Sequence, residues 1–203
     1  QTQNEQVQGF EDSRRLTGPN LYLPGCGVAL EVLGGKTPPD KVLDVWQKYV
    51  LTAFENLHWA PPEIVIRRHL TGVSLAFSAP ADQLYAATEV NEWAWLKTVA
   101  SAQEFYSPAA PSLKDDEAAF HTLEKIATAE SNPVLIELIG ASDEKKLPTY
   151  YDDEFFSIGE GQGSQTWAID ALPSTASIEW GKFSRIPTAL ITGSNGKTTT
   201  TRL

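Results

Sequence analysis

Between Val42 and Phe77 the spacing of apolar residues changes from the period of a helix to the period of a strand, and this change restricts the fold more than any other feature of the sequence. Val42, Val45, Trp46, Tyr49, Val50, Ala53, Phe54 and Leu57 recur at helical spacing behind Pro38-Pro39-Asp40, which predicts a helix to about Leu57 with one buried stripe. Pro61-Pro62 ends that segment. Ile64 and Ile66 then alternate on one arm, and Val73, Leu75 and Phe77 on the other, with Gly72 near the turn of a hairpin. A striped helix and an alternating hairpin bury their apolar faces against each other, so the expected class is α+β, a mixed sheet with helices, over residues 13–183.

The remaining elements follow from the same signals. Residues 1–12, polar and rich in Gln, are expected to be a flexible tail. Residues 20–23 and 28–33 are expected as two short strands around the Pro24-Gly25 turn, and residues 82–102 as an aromatic helix carrying Tyr85, Trp93 and Trp95. After the Pro-rich stretch 108–111, Ser112 with Asp115 predicts the cap of a third helix whose stripe is Phe120, Leu123, Ile126 and Ala127. Asn132-Pro133 stops it. The apolar run 134–139 is expected to be a buried strand, with the charged clusters 143–146 and 152–154 in loops.

Charge and cysteine content exclude several functions. Sixteen Lys and Arg against 26 Asp and Glu give a net charge of -10, the wrong sign for neutralising nucleic-acid phosphates or docking on anionic lipid, so neither is an expected partner. Cys26 is the only cysteine, which rules out an intrachain disulfide and a zinc site built on cysteines and points to a reducing, cytoplasmic setting. No apolar run approaches the roughly 18 residues of a membrane span, and the first residues lack the cationic and apolar regions of a signal peptide. The absence of methionine, even at position 1, is what a fragment, a processed form or an incomplete reading of the chain would show.

The chemistry is concentrated in residues 186–200. Ala189 to Ile191 reads as a buried strand, Gly193-Ser194-Asn195-Gly196 as a tight turn, and Lys197-Thr198-Thr199-Thr200 as the start of a helix. Glycines let successive N–H groups converge on phosphate oxygens, and a helix N-terminus adds positive potential there. Lys197 would reach the β and γ phosphates of ATP, and the Thr198 hydroxyl would hold Mg²⁺. Two residues separate Gly193 from Gly196 where the common phosphate loop has four.

This string closely resembles the ATP-binding loop of the Mur ligase family, T-G-[TS]-[NK]-G-K-[ST]. Residues 13–22, Ser-Arg-Arg-Leu-Thr-Gly-Pro-Asn-Leu-Tyr, and residues 159–167, Gly-Glu-Gly-Gln-Gly-Ser-Gln-Thr-Trp, look like segments of its cyanophycin-synthetase-like type. The resemblance implies an ATP-dependent carboxylate–amine ligase that forms an amide through an acyl phosphate, with small-molecule or peptide carboxylates and amines as substrates. It implies nucleotide binding by Gly193, Ser194, Asn195, Gly196, Lys197, Thr198 and Thr199, catalysis by Lys197 and metal binding by Thr198. It further implies an N-terminal substrate-side domain over residues 13–183, with residues 184–203 opening a truncated central ATP-binding domain, so that these 203 residues alone are expected to be inactive. The alternatives are a binding module with a vestigial phosphate loop and another P-loop enzyme such as a small-molecule kinase.

Other residues carry weaker expectations. His58, His69 and His121 lack metal-site spacing, and Cys26 reads as a small buried thiol. Arg14, Arg15, Arg67 and Arg68 could receive an anionic substrate or form surface ion pairs. Trp93 and Trp95 should point to different faces of one helix, one in the core and the other at an interface or pocket wall, and residues 159–163 read as a flexible connector.

Overall fold

The computed structural model describes residues 10–33, 38–102 and 116–187. Contacts divide the chain into two compact units, Gln1–Ile136 and Glu137–Leu203. The expected cap of Ser112 and Asp115, the stretch 108–111 and the whole phosphate loop lie outside the described residues. The described part is mixed α+β, with four helices and two antiparallel sheets.

In the first unit, β1 (Asp12–Leu16), β2 (Gly27–Leu33), β3 (Ile64–His69) and β4 (Gly72–Ser78) form an antiparallel sheet in the order β1-β2-β4-β3. The helix α1 (Asp40–Asn56) connects β2 to β3, and α2 (Leu84–Ser101) and α3 (Asp116–Glu130) follow β4. Strand register sets the core: Val28 opposes Phe77, Leu30 opposes Leu75 and Val32 opposes Val73, so one face of the central β2–β4 pair is apolar. Onto that face pack Trp46, Val50 and Phe54 of α1 with Val90, Ala94 and Trp95 of α2. Val50, Phe54 and Val90 each contribute about 1.5–3 kcal/mol on burial. Asn91, fully buried, joins three of these elements: Trp46 Nε1 donates to its carbonyl at 3.0 Å and its amide donates to the Leu75 carbonyl at 3.0 Å.

The helix and hairpin expected from the change of period are both present. α1 stops where the left-handed His58, φ 56, lets Trp59 N–H reach back to the Phe54 carbonyl at 3.0 Å. Two expected strands are absent, and Asp143 and Glu144 of the charged cluster expected in a loop are helical. Residues 20–23 form a turn, because Asn20 folds the chain on itself: its Oδ1 accepts the N–H groups of Tyr22 and Leu23, and its Nδ2 donates to the carbonyls of Gly18 and Gly25. The partner of β2 is instead Asp12–Leu16.

The second failure is the run 134–139, which is helical. It lies in α4 (Pro133–Glu144), which crosses the boundary between the units in sequence. The Asn132-Pro133 pair that stops α3 also starts α4: Asn132 Oδ1 accepts the Leu135 N–H at 3.1 Å, and proline fits the first helical position. Only Leu135, Leu138 and Ser142 of this helix are buried, at helical rather than alternating spacing.

In the second unit, β5 (Thr149–Tyr151), β6 (Phe155–Glu160) and β7 (Gly163–Ala168) form a three-stranded antiparallel sheet, followed by three short 3-10 turns. Leu138, Phe156 and Ile158 are fully buried, and the Trp167 ring lies 6.4 Å from Phe156 and 6.2 Å from Phe183. The expected connector 159–163 is the tip of the β6–β7 hairpin, with Glu160 opposite Gly163 and Gly161 at φ 60, the first turn position of a type II′ loop. Among the described residues no helix is long and apolar enough to cross a membrane.

Candidate functional site

Two polar constellations stand out among the described residues, one in each unit. The first lies on the face of the four-stranded sheet opposite the apolar core. Register places Asp12, Glu31, Ser74 and Arg67 in one row across all four strands. Glu31 is its centre. One carboxylate oxygen accepts Arg14 Nη2 at 2.7 Å and the Tyr22 hydroxyl at 2.9 Å, and the other accepts the Ser74 hydroxyl at 2.9 Å. Tyr22 arrives there because Asn20 fixes the loop that precedes β2. Burial pushes the Glu31 carboxyl up, but the hydrogen bonds from Ser74, Tyr22 and Arg14, with the Arg14 charge, bring it below the ordinary carboxylate range. Burial likewise works against the Arg14 charge and is outweighed by Asp12, Tyr22 and Glu31.

His69 closes the far end of this group. Its Nδ1 lies 3.1 Å from the Thr71 hydroxyl, while Nε2, buried and without a hydrogen bond, lies 3.4 Å from Glu31 Oε2. Each Glu31 oxygen already has a donor, so the carboxylate is an anchor for strands and loop rather than an available base.

The arginines do not converge. Successive side chains of a strand point to opposite faces, so Arg14 and Arg67 share the polar face, whereas Arg15 opposes Val28 and Arg68 opposes Val73 on the other. Arg14 pairs with Asp12 and Glu31, and Arg68 binds the Asp40 carboxylate and the Pro38 carbonyl. A single anion site built from all four is therefore excluded by the pleat of the sheet.

The remaining candidates have structural places. His58 and His121 are exposed, one just beyond the end of α1 and one on α3. Half-buried Cys26 donates to the Ala79 carbonyl at 3.3 Å. Trp95 is fully buried, and Trp93 packs between Tyr49 and Phe120 at ring-centroid distances of 5.6 and 5.0 Å, as one helix face against its neighbours. Asp152 closes the β5–β6 turn by accepting the N–H groups of Glu154 and Phe155, each at 2.8 Å.

The second constellation lines a hollow of about 600 Å³ in the second unit, walled by the end of α4, by Tyr150 and Glu160, and by residues 185–187. Glu160 organises it: its carboxylate accepts the Tyr150 hydroxyl at 2.6 Å and the Ile186 N–H at 2.5 Å. Those two bonds hold the Glu160 carboxyl below its usual range, and the bond to Glu160 raises the Tyr150 phenol. The main chain of Ser184 also joins the hairpin, through Glu160 N–H to the Ser184 carbonyl and Ser184 N–H to the Gly163 carbonyl, at 2.9 and 3.0 Å. Neither constellation was legible as a site beforehand. The first depends on register across four strands, and the second joins residues about 40 positions apart; its one local trace is the run 143–146.

The phosphate-loop residues Gly193, Ser194, Asn195, Gly196, Lys197, Thr198 and Thr199 lie outside the described residues, whose last member, Pro187, precedes them by six positions. Among the described residues, no group of three or more His, Cys, Asp or Glu side chains could hold a metal ion. In comparisons with known proteins, no family model and no curated protein matches this chain.

Proposed function

We propose that this chain belongs to an ATP-dependent ligase that joins a carboxylate to an amine, resembling the Mur ligases. The observation that carries this reading is the string Thr192-Gly193-Ser194-Asn195-Gly196-Lys197-Thr198-Thr199, which combines a glycine turn, a lysine and adjacent hydroxyls in the order a triphosphate requires. In this reading the loop N–H groups and Lys197 grip the β and γ phosphates, and Thr198 holds Mg²⁺, which would neutralise charge on the transferring group. The carboxylate of one substrate takes the γ-phosphoryl group and ADP departs. The amine then attacks the acyl phosphate, forming the amide and expelling inorganic phosphate. Lys197 acts by charge on the phosphoryl oxygens and takes no proton.

Hydroxylamine traps an acyl phosphate as a hydroxamate, which gives the test. Incubation of the intact protein with Mg-ATP, hydroxylamine and a panel of small carboxylic acids and peptides should yield hydroxamate from at least one acid, with one ADP per product. Lys197→Ala should abolish it. ADP without hydroxamate, coupled instead to phosphorylation of a hydroxyl compound, would replace this reading with a kinase.

A further inference from the structure

We propose that the hollow beside the β6–β7 hairpin binds the carboxylate end of a small organic molecule between Lys146 and Arg185. The assignment rests on residues of the second unit alone and does not depend on the phosphate loop. The hollow, of about 600 Å³, is a groove open to solvent, with Lys146, Tyr150, Arg185, Ile186 and Pro187 exposed along it.

The walls are held in place by main-chain bonds. Leu147 N–H reaches the Ser142 carbonyl and Lys146 N–H the Asp143 carbonyl, at 3.0 and 2.9 Å, which closes the end of α4 and fixes Lys146. Gly159 N–H takes the Pro148 carbonyl at 2.9 Å, tying that corner to β6. On the other side, the bonds of Ser184 and Ile186 to Glu160 fix the backbone on either side of Arg185.

The choice of residues points to a ligand. Lys146 sits at φ 56, the position that ends a helix in the left-handed region and that favours glycine. Lysine there carries a backbone cost, yet it forms no ion pair among the described residues. Arg185 likewise forms none. Glu160 in the same wall accepts the Tyr150 hydroxyl and the Ile186 N–H, and the Arg185 charge acts on both Glu160 and Tyr150, so an incoming carboxylate would share Arg185 with Glu160 and meet Lys146 directly.

Charge balance selects the anion. Asp143 and Glu160 offset Lys146 and Arg185, so the hollow is neutral overall. A phosphate dianion would bring two charges against two carboxylates, whereas a carboxylate brings one and matches the planar guanidinium fork. Leu147, Pro148, Ile186 and Pro187 offer apolar surface for the carbon chain behind it.

Nuclear magnetic resonance titration with sodium hexanoate tests this, with hexanamide and inorganic phosphate as matched controls at constant ionic strength. Hexanoate should shift the backbone amides of residues 146, 147, 160, 185 and 186 and saturate at millimolar concentration. Hexanamide and phosphate should not. Lys146→Gly and Arg185→Ala should each weaken hexanoate binding at least tenfold, and Lys146→Gly should at the same time raise the melting temperature by relieving the left-handed lysine. Unchanged binding in both variants, or no saturable shift with the folded wild-type chain, would overturn the proposal. Tighter binding of phosphate than of hexanoate would reject the carboxylate, and equal binding of hexanamide would reduce the hollow to an apolar surface.

Discussion

Glu130, the last residue of α3, caps the start of α2: its two carboxylate oxygens accept the N–H groups of Tyr85 and Ala86 at 2.8 and 2.9 Å. Helix α2 has no cap of its own, since Gln83 at its N-terminal boundary makes no side-chain capping bond. The exchange is reciprocal, because Asp82, just before α2, accepts the Asn132 N–H at 2.7 Å and the Ser131 hydroxyl at 3.3 Å, just before α4. Two connections far apart in sequence therefore satisfy one another's orphan donors.

Replacing Glu130 by Ala is expected to cost about 1–2 kcal/mol, the loss of a charged cap at a helix N-terminus. Glu130→Gln should cost less, since one amide oxygen still accepts. Urea unfolding of both variants measures the order; equal stability of Glu130→Ala and the wild type would remove the cap from the account.

Acid stability should depend on Glu31. Its carboxyl is held below the ordinary value of 4.5 in the fold, so its contribution is complete above that value and disappears as the pH falls through the lowered folded value. Glu31→Gln should flatten the acid limb of the stability curve, and Glu31→Ala should cost about 1–3 kcal/mol near neutral pH by stranding the donors of Arg14, Tyr22 and Ser74. Melting temperatures between pH 3 and 7 report both. An acid limb of unchanged slope in Glu31→Gln would assign the effect to other carboxyls.

The β6–β7 hairpin should not tolerate a side chain at Gly159. It has φ 81, and a Cβ there would stand 2.1 Å from the backbone carbonyl oxygen of Gly163, on the facing strand next to its register partner Ser164. Gly159→Ala is expected to lose about 1–3 kcal/mol. Gly161→Ala, at φ 60 and against only the flexible end of Ile186, should lose less. Amide exchange across residues 155–168 separates the two, and equal protection in both variants would contradict the close approach.

What the sequence disclosed depended on how local the cause was. α1 and the β3–β4 hairpin were legible because stripe and alternation lie within one segment each, and the register confirms Ile64 opposite Phe77 and Ile66 opposite Leu75. The run 134–139 was ambiguous because a short apolar stretch suits a buried strand or a helix, and the cap from Asn132 decided for the helix. Residues 20–23 went to a turn through one side chain bonding to four backbone groups, which alternation does not reveal. The cap from Glu130 and the donors around Glu31 come from distant positions, and no local pattern encodes them.

Titration calorimetry of Mg-ATP against the intact protein, wild type and Lys197→Ala, tests the central claim most directly. If Lys197 supplies charge-assisted hydrogen bonds to the phosphates, each worth about 1.5–3 kcal/mol, the variant should bind ATP roughly ten- to a hundredfold more weakly while keeping its melting temperature without nucleotide. Equal affinity of the two proteins for ATP would contradict the assignment of residues 192–199 as a phosphate loop, and with it the ligase.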